Sequence, residues 1–429
     1  MKNIKWGCIQ PLTGGMYLGA ESAIGHPAEW ILSYKHLDNV KTDKDGNIIS
    51  CNNEYHLIEY LKKHNRLPKY YKFKDQEIFD TNITNDNPII TLNDVECQPD
   101  YSDLDLVVAV PVCSGLSNAT RASEDTIIKR NCNMMWLAYY TLHVIKPKIY
   151  IFENAPTFMG NRGVELRKHF EELALKEKYS IIYYKTDSIL HDNCQKRPRT
   201  FIIFVQHNAE DVMQIPPLYD YYANTKTILD VMNEIPSNST QNDGCITESF
   251  NLMLQSYVIN KYGDNWRNEF NGSIIQKIIK DYNLNDLIDY ISNDTKFDEK
   301  IRTRSLKYYN HIKYKHSIGG GWYGSDLHYF KEWLPAVQFK SIPCMMHLTE
   351  DRLYSPREYM TLMGMPFDFE LQGKLTNQTL AQIGQNVPVK TAKFIVEQAL
   401  NIINKWNDVR STSHNCIYQN NINRTEQYI

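Results

Sequence analysis

Residues 107–117 read VVAVPVCSGLS: an apolar run enters Pro111, and Cys113 follows in a turn of small residues before Ser117. The run has the length and β-branched content of a buried strand, which puts the cysteine at the strand's carboxyl end. Three roles fit a cysteine there: inert packing, half of a metal site, or a nucleophile presented above a sheet.

The chain has 429 residues, 42% hydrophobic and 23% charged, enough for two domains or a large one with an insertion. Its net charge of −3 gives no overall positive field, so any surface for nucleic acid has to be local. The opening MKNIKWGCIQPLTGG lacks the apolar run of a signal peptide. No stretch is long and apolar enough for a membrane span, and none is expected. The nine cysteines include no CxxC pair, which speaks against a disulfide framework or structural zinc and for a reducing cytoplasm.

Outward from Cys113, residues 1–207 alternate strand-like and amphipathic segments. The strand candidates are 4–10, 47–52, 88–91, 104–110, 148–153, 180–184 and 200–205. Helix-like stretches Glu54–His64, Asn133–Val144 and Val164–Lys176 lie between them. This βα alternation predicts an α/β fold with a doubly wound, Rossmann-like, mostly parallel sheet. From about 216 the rhythm loosens, which predicts a second, smaller domain over 216–355. Residues 356–407 turn helical again, ending in KTAKFIVEQALNIINKW, and 408–429 form a polar tail. The acidic run 281–299 reads as a solvated face.

In such a sheet ligands bind beyond the carboxyl ends of the strands. LTGGMYLGAE (12–21) places Gly14, Gly15 and Gly19 there, suited to the close approach of a cofactor or to a plain structural turn. CNNEYHLIEYL (51–61) places Glu54 just past a strand, to accept from ribose hydroxyls or to stand as an exposed helix-start acid. IYIFENAP (149–156) ends an apolar strand in Glu153 and Asn154. A carboxyl in that position is partly desolvated, which favours its protonated form and suits it to donate a proton. QKRPRTFIIF (195–204) puts Arg197 and Arg199 on one side of an extended segment, as surface charge or as a clamp on a phosphate or base oxygen.

Taken in order, these elements resemble the DNA cytosine-5 methyltransferase family, and more closely its phage-type members, over almost the whole chain. GGMYLGAE resembles the cofactor loop, NNEY the ribose-binding acid and its aromatic neighbour, and PVCSGLS stands where the family has Pro-Cys-Gln. FENAP matches the Glu-Asn-Val element and QKRPR the Gln-x-Arg-x-Arg element. RLYSPREYMTLMGMP (352–366) and IGQNVPVKTA (383–392) resemble the last two motifs.

The resemblance implies S-adenosylmethionine on the loop of Thr13, Gly14 and Gly15, with Glu54 near its ribose and Tyr55 near its adenine. Asp94 is the further adenine-contacting acid, with Asp80 as competitor, and Asn386 comes from the last motif. It implies methyl transfer to C5 of a cytosine flipped out of double-stranded DNA, without a metal. Cys113 would attack C6, Glu153 would protonate or hydrogen-bond N3, Arg199 with Arg197 would hold the base O2, and Asn154 is a further catalytic residue. By the same resemblance 1–215 is the cofactor-binding catalytic domain, 216–355 recognises the target, and 356–407 returns to the catalytic domain.

DNA contacts are expected at Ser117, Arg121 and Lys129 after the cysteine, and at Gln195. The basic, aromatic KIRTRSLKYYNHIKYKH (300–316) adds Arg302, Arg304 and Lys307, and the glycine-rich loop after it adds Gly320 and Trp322. The implied setting is the cytoplasm of a bacterial or phage-infected cell, as a monomer with a dimer compatible.

The chain departs from the family at several places. Val112 and Ser114 flank the cysteine where proline and glutamine are usual. Gln10-Pro11-Leu12-Thr13 replaces Phe-x-Gly-x, removing an aromatic expected near the adenine, and Gln385-Asn386 replaces Asn-Ala. An insertion at 25–46 either carries Trp30 to the cofactor or is an embellishment. These changes keep open a related pyrimidine C5 modification, an RNA substrate, or a module that binds DNA and flips cytosine without transfer. A nicotinamide-dependent dehydrogenase fits poorly, since the glycine loop lacks GxGxxG.

Overall fold

The computed structural model describes residues 3–33, 40–68, 101–111, 116, 134–207, 226–241, 249–319, 327–336, 344–375 and 377–409. The chain divides into two compact units. One comprises Met1–Asn193, Arg197–Thr225 and Asn386–Ile429; the other comprises Cys194–Lys196 and Lys226–Gln385. The expected boundaries at 215 and 355 are drawn differently here, because 356–385 belongs with the smaller unit.

The larger unit is built on a six-stranded sheet. Its strands are β1 (Trp6–Ile9), β2 (Trp30–Leu32), β5 (Leu106–Ala109), β6 (Ile149–Asn154), β7 (Tyr179–Asp187) and β9 (Pro198–Gln206), in the order β2-β1-β5-β6-β9-β7. The first four are mutually parallel, and β9 runs antiparallel to both β6 and β7. β1, β2, β5 and β6 are buried along their whole length, which explains their unbroken apolar runs: a strand covered on both faces has no polar side to alternate with.

On one face Val107, Ala109, Tyr150, Phe152, Ile202 and Phe204 pack under helix α3 (134–139, continuing as a π-helix over Tyr140–Ile145) and helix α4 (Val164–Glu177). The expected helix Asn133–Val144 thus contains a change of winding that periodicity did not register. On the other face α1 (Gly15–Ile24) lays Tyr17 against Trp6, with ring centroids 5.1 Å apart. Alongside α1 runs α12 (Val389–Val409).

Two sequence expectations are corrected in this unit. The segment 47–52 does form a strand, β4 (Ile48–Cys51), but it pairs antiparallel with β3 (Val40–Thr42) in a separate hairpin. The second strand of the main sheet is β2, inside the supposed insertion. Trp30 is consequently a core residue: it is fully buried, meets Tyr101 edge-on at 5.5 Å, and fills the space beside Gly7, where any Cβ would strike its ring. The candidate strand 88–91 lies outside the described residues.

The smaller unit is mainly helical. Helices α6 (Ser249–Tyr262), α7 (Ile274–Asp281), α8 (Leu284–Asn293) and α9 (Glu299–Ser317) enclose a core of Phe250, Leu254, Tyr257, Ile278, Leu287, Ile291, Tyr309 and Ile312. Side chains of Ser273, Asn283 and Asp298 accept the first free N–H groups of α7, α8 and α9, so polar residues in this loose-looking stretch are helix starts. A short sheet joins β10 (Gly272–Ser273), β11 (Leu327–Tyr329) and β13 (Cys344–Met345), while β8 (Gln195–Lys196) pairs with β12 (Leu334–Pro335). The helical segment expected from 356 is in fact three helices, α10 (Pro356–Leu362), α11 (Asn377–Ile383) and α12, with non-helical chain between them.

Candidate functional site at the carboxyl ends of the strands

In the larger unit the chain leaves β1 for β2 on one side and later returns to β5 on the other. The crevice between β1 and β5 is therefore a topological switch point, the place where an open α/β sheet accepts a ligand. The turn of Gln10–Gly15 leaves the carboxyl end of β1, and Pro111 leaves that of β5. Cys113 follows two residues later, outside the described residues. Beside β5 in the sheet, β6 ends in Glu153 and Asn154.

The two ends of this rim differ in construction. Along β6, Tyr150 and Phe152 face α3 and α4, so the period of two sends Asn154 to that side and Glu153 to the other. Asn154 is fully buried; its Nδ2 donates to Met134 Sδ at 3.0 Å, and its Oδ1 accepts the Ala155 N–H at 2.8 Å. Asn154 thereby fixes the turn after β6 to the helix that follows the cysteine loop. Thr157 strengthens the same joint by donating its hydroxyl to the carbonyl of Leu116, a buried residue of that loop. The sequence reading missed both Met134 and Thr157, although a hydroxyl directly after Pro156 was a usable signal.

Glu153 is 5% exposed and forms an ion pair with Arg199 Nε. Glu153 lies opposite Phe201 in the ladder, and Arg199 shares the face of Phe201 two residues away, so the two side chains meet on the diagonal. The expected desolvation of the acid is present, and it comes with a cation that compensates it. Arg197 and Arg199 do not continue one strand as expected, since the ladder breaks between β8 and β9. Arg197 is buried and its N–H donates to Asp187 Oδ1 at 2.7 Å. Gln195, expected on DNA, is also an interior residue: it is fully buried and its Nε2 lies 3.3 Å from Met363 Sδ.

At the β1–β2 end, Glu54 in the first turn of α2 (Asn53–Lys63) is buried, and Ser33, just past β2, donates its hydroxyl to it at 3.4 Å. The Cys8 thiol of β1 is pushed far up by burial and then by the charge of Glu54. Tyr55 beside it is half-buried, and Thr13 is buried. Gly14 sits at φ 110°, a conformation only glycine adopts without strain. Gly15 and Gly19 have a different reason to be glycine: a Cβ on Gly15 would collide with the Val387 carbonyl, and one on Gly19 with Ala392 and the Val389 carbonyl. Asn386 caps α1 from afar, its Oδ1 accepting the Gly15 N–H at 2.6 Å. The last motif thus holds the glycine turn in place.

These residues fit an adenosyl cofactor. A buried carboxylate with a hydroxyl donor beside it suits vicinal ribose hydroxyls, and a left-handed turn opening a helix lets backbone approach a ligand. The amide of Gln10 adds a buried Nε2 with no hydrogen-bond partner among the described residues.

In the smaller unit α9 buries Ser305, Tyr309 and Ile312 and exposes Lys300, Arg304, Lys307, His311 and Tyr314 along one helical stripe, with Arg302 half-buried beside it. Among the described residues no group of histidine, cysteine and acidic side chains is arranged to hold a metal, and no helix is long and apolar enough to cross a membrane. Asp80, Asp94, Cys113, Ser117, Arg121, Lys129, Gly320 and Trp322 lie outside the described residues.

The family model for the C-5 cytosine-specific DNA methylase matches residues 67–401. That span includes Cys113, Glu153 and Arg199 and begins after the glycine turn and Glu54. Among solved structures the chain is similar to a DNA modification methyltransferase encoded within a prophage of E. coli. The identity is 17% over 94% of this chain and 99% of that one, with a TM-score of 0.52, a likeness of fold. It is also similar to the Entamoeba histolytica methyltransferase EhMeth, at 11% identity over 95% of this chain and 99% of that one, with a TM-score of 0.48. A comparison with curated proteins finds no match.

Proposed function

The chain belongs to the C-5 cytosine-specific DNA methylase family, whose methyl donor is S-adenosylmethionine, and on that premise we propose that it methylates a cytosine flipped out of double-stranded DNA through a covalent adduct on Cys113. The observation that carries this reading is the Glu153–Arg199 pair, set at the ends of β6 and β9 on the rim that the cysteine loop leaves from β5.

Unstacking the target base costs a few kcal/mol and brings C5 and C6 within reach of side chains. The Cys113 thiolate attacks C6; the new C–S bond forms as the C5–C6 double bond gives its electron pair to the C4–C5 side of the ring. Glu153 donates to N3, which spreads the charge that attack creates, and Arg199 turns its guanidinium to O2 while remaining beside Glu153. The donor supplies an electrophilic methyl group for C5. A base then removes the C5 proton, the C–S bond breaks, and its electrons return to sulfur as the C5–C6 double bond reforms. Glu54 with Ser33, Tyr55, Thr13 and the turn of Gly14 and Gly15 would hold the donor, and Asn386 keeps that turn in place.

The smaller unit would recognise the target. The exposed stripe of α9, with Arg304 and Lys307 at its centre, suits phosphates, and its aromatic end at Tyr314 leads into the loop of Gly320 and Trp322. A reducing bacterial or phage-infected cytoplasm and a monomeric enzyme, in a restriction-modification or orphan role, accord with this reading.

The test is nucleoside mass spectrometry on unmodified duplex DNA incubated with the protein and S-adenosylmethionine, wild type beside Cys113→Ser. We expect 5-methylcytosine from wild type alone. Product from Cys113→Ser would overturn the covalent mechanism. Absence of product from both on varied DNA, with DNA binding intact, would favour a base-flipping module without transfer.

A further inference from the structure

We propose that Gln10 is a specificity-determining residue for the cofactor, its side-chain amide hydrogen-bonding to the adenosine part of S-adenosylmethionine. Three observations converge on it. Gln10 is 1% exposed, and its Nε2 is enclosed without an acceptor among the described residues, while its backbone N–H donates to the Leu32 carbonyl at 2.7 Å. A buried amide left so is costly, and a native structure retains one where something else satisfies it. Next, Gln10 and Leu12 both hold φ at 52°, in the left-handed region that neither favours. Strain of that kind gathers where a backbone path serves a ligand. Last, Gln10 ends β1 at the switch point, and its bonded partner Leu32 precedes Ser33, which donates to Glu54. The orphaned amide and the ribose-suited carboxylate therefore share one corner of the site.

Gln10 stands where the family resemblance has a phenylalanine. An aromatic ring offers a face and no directed bond, whereas an amide offers both a donor and an acceptor. The family match covers residues 67–401, and this corner lies before it. The inference rests on the cofactor assignment but does not depend on the transfer chemistry.

The experiment is isothermal titration of the full chain, without DNA, with S-adenosylhomocysteine and separately with adenosine. Wild type, Gln10→Leu and Gln10→Met are compared, with thermal melting of each ligand-free protein. Both variants should bind both ligands about 5- to 10-fold more weakly, the worth of one neutral hydrogen bond. Their ligand-free melting temperatures should stay level or rise, because each removes an unsatisfied buried amide. A purely structural glutamine would instead lower them. Unchanged affinity in both variants, or a loss seen with S-adenosylhomocysteine but not with adenosine, overturns the role given to Gln10. Wild type that binds neither ligand overturns the cofactor reading of this corner and the role of Gln10 with it, whereas intact binding with no methylated product leaves Gln10's role in place and removes only the transfer mechanism.

Discussion

The strand-end rim has two halves that meet the sequence in opposite ways. At β6 and β9 the residues keep the motif pattern, and folding draws the buried Glu153 and the half-buried Arg199 into an ion pair. At β1 and β2 the residues depart from it at Gln10 and Leu12, and Leu12 takes the left-handed conformation at φ 52° where the resemblance has glycine. On the proposed function, the difference reflects what each half would do. Proton donation and charge balance at a reacting ring would need particular atoms in particular places. A cofactor cradle needs a backbone path, and a non-glycine residue can follow it at a cost of roughly 1–2 kcal/mol.

The sharpest way to break that comparison is Glu153→Gln. It should lower methyl transfer about 10²- to 10⁴-fold while leaving S-adenosylhomocysteine affinity unchanged; a joint loss of binding would mean the halves are not separable. Arg199→Met comes next, with a loss of about 10- to 100-fold in kcat/KM from its missing transition-state contact. It also leaves the Glu153 carboxylate buried alone, which should cost about 2–3 kcal/mol in urea unfolding, below the range for a fully buried pair because Arg199 is 18% exposed. Recovery of stability in Arg199→Lys would separate the charge from the geometry.

A third prediction concerns α12, which backs the cofactor half. His191 stacks on Phe394 of that helix at 4.4 Å, and burial holds its imidazole down to about 4. The unfolded chain binds the proton near pH 6.5 and the folded one only near 4, so stability is lost as pH falls through that window, at about 1.4 kcal/mol per pH unit. His191→Phe should flatten this dependence in urea titrations at pH 7 and pH 5. A residual slope is expected from His328 in the smaller unit, likewise held down to about 4 by burial. An unchanged slope would show that His191 does not carry it. The smallest effect is expected from Asn386→Ala, which removes the cap on Gly15 and should weaken S-adenosylhomocysteine binding about 3- to 10-fold with kcat intact.

Much of the sheet was legible because strands buried on both faces leave continuous apolar runs, as at 104–110 and 148–153. β2 was not, because Trp30–Leu32 is three residues long and sits among polar neighbours. The hairpin strand Ile48–Cys51 was misassigned for the complementary reason: its pattern is strand-like, but nothing local says whether its partner is Val40–Thr42 or a main-sheet strand. The helices of the smaller unit were announced by Ser273, Asn283 and Asp298, which do not stand out as helix starts in a stretch rich in Asn, Asp and Tyr.

What the sequence determined by itself is the order of the chemical groups along the chain, the α/β alternation, and the basic stripe of α9, all of which follow from local periodicity and residue type. Only the tertiary structure decided that Glu153 meets Arg199, that Asn386 caps Gly15 across 371 residues, and that the Gln10 Nε2 is enclosed without a partner among the described residues. The reason is physical: periodicity sets which face of its own element a side chain takes, while the neighbour on that face is chosen by burial of the whole sheet.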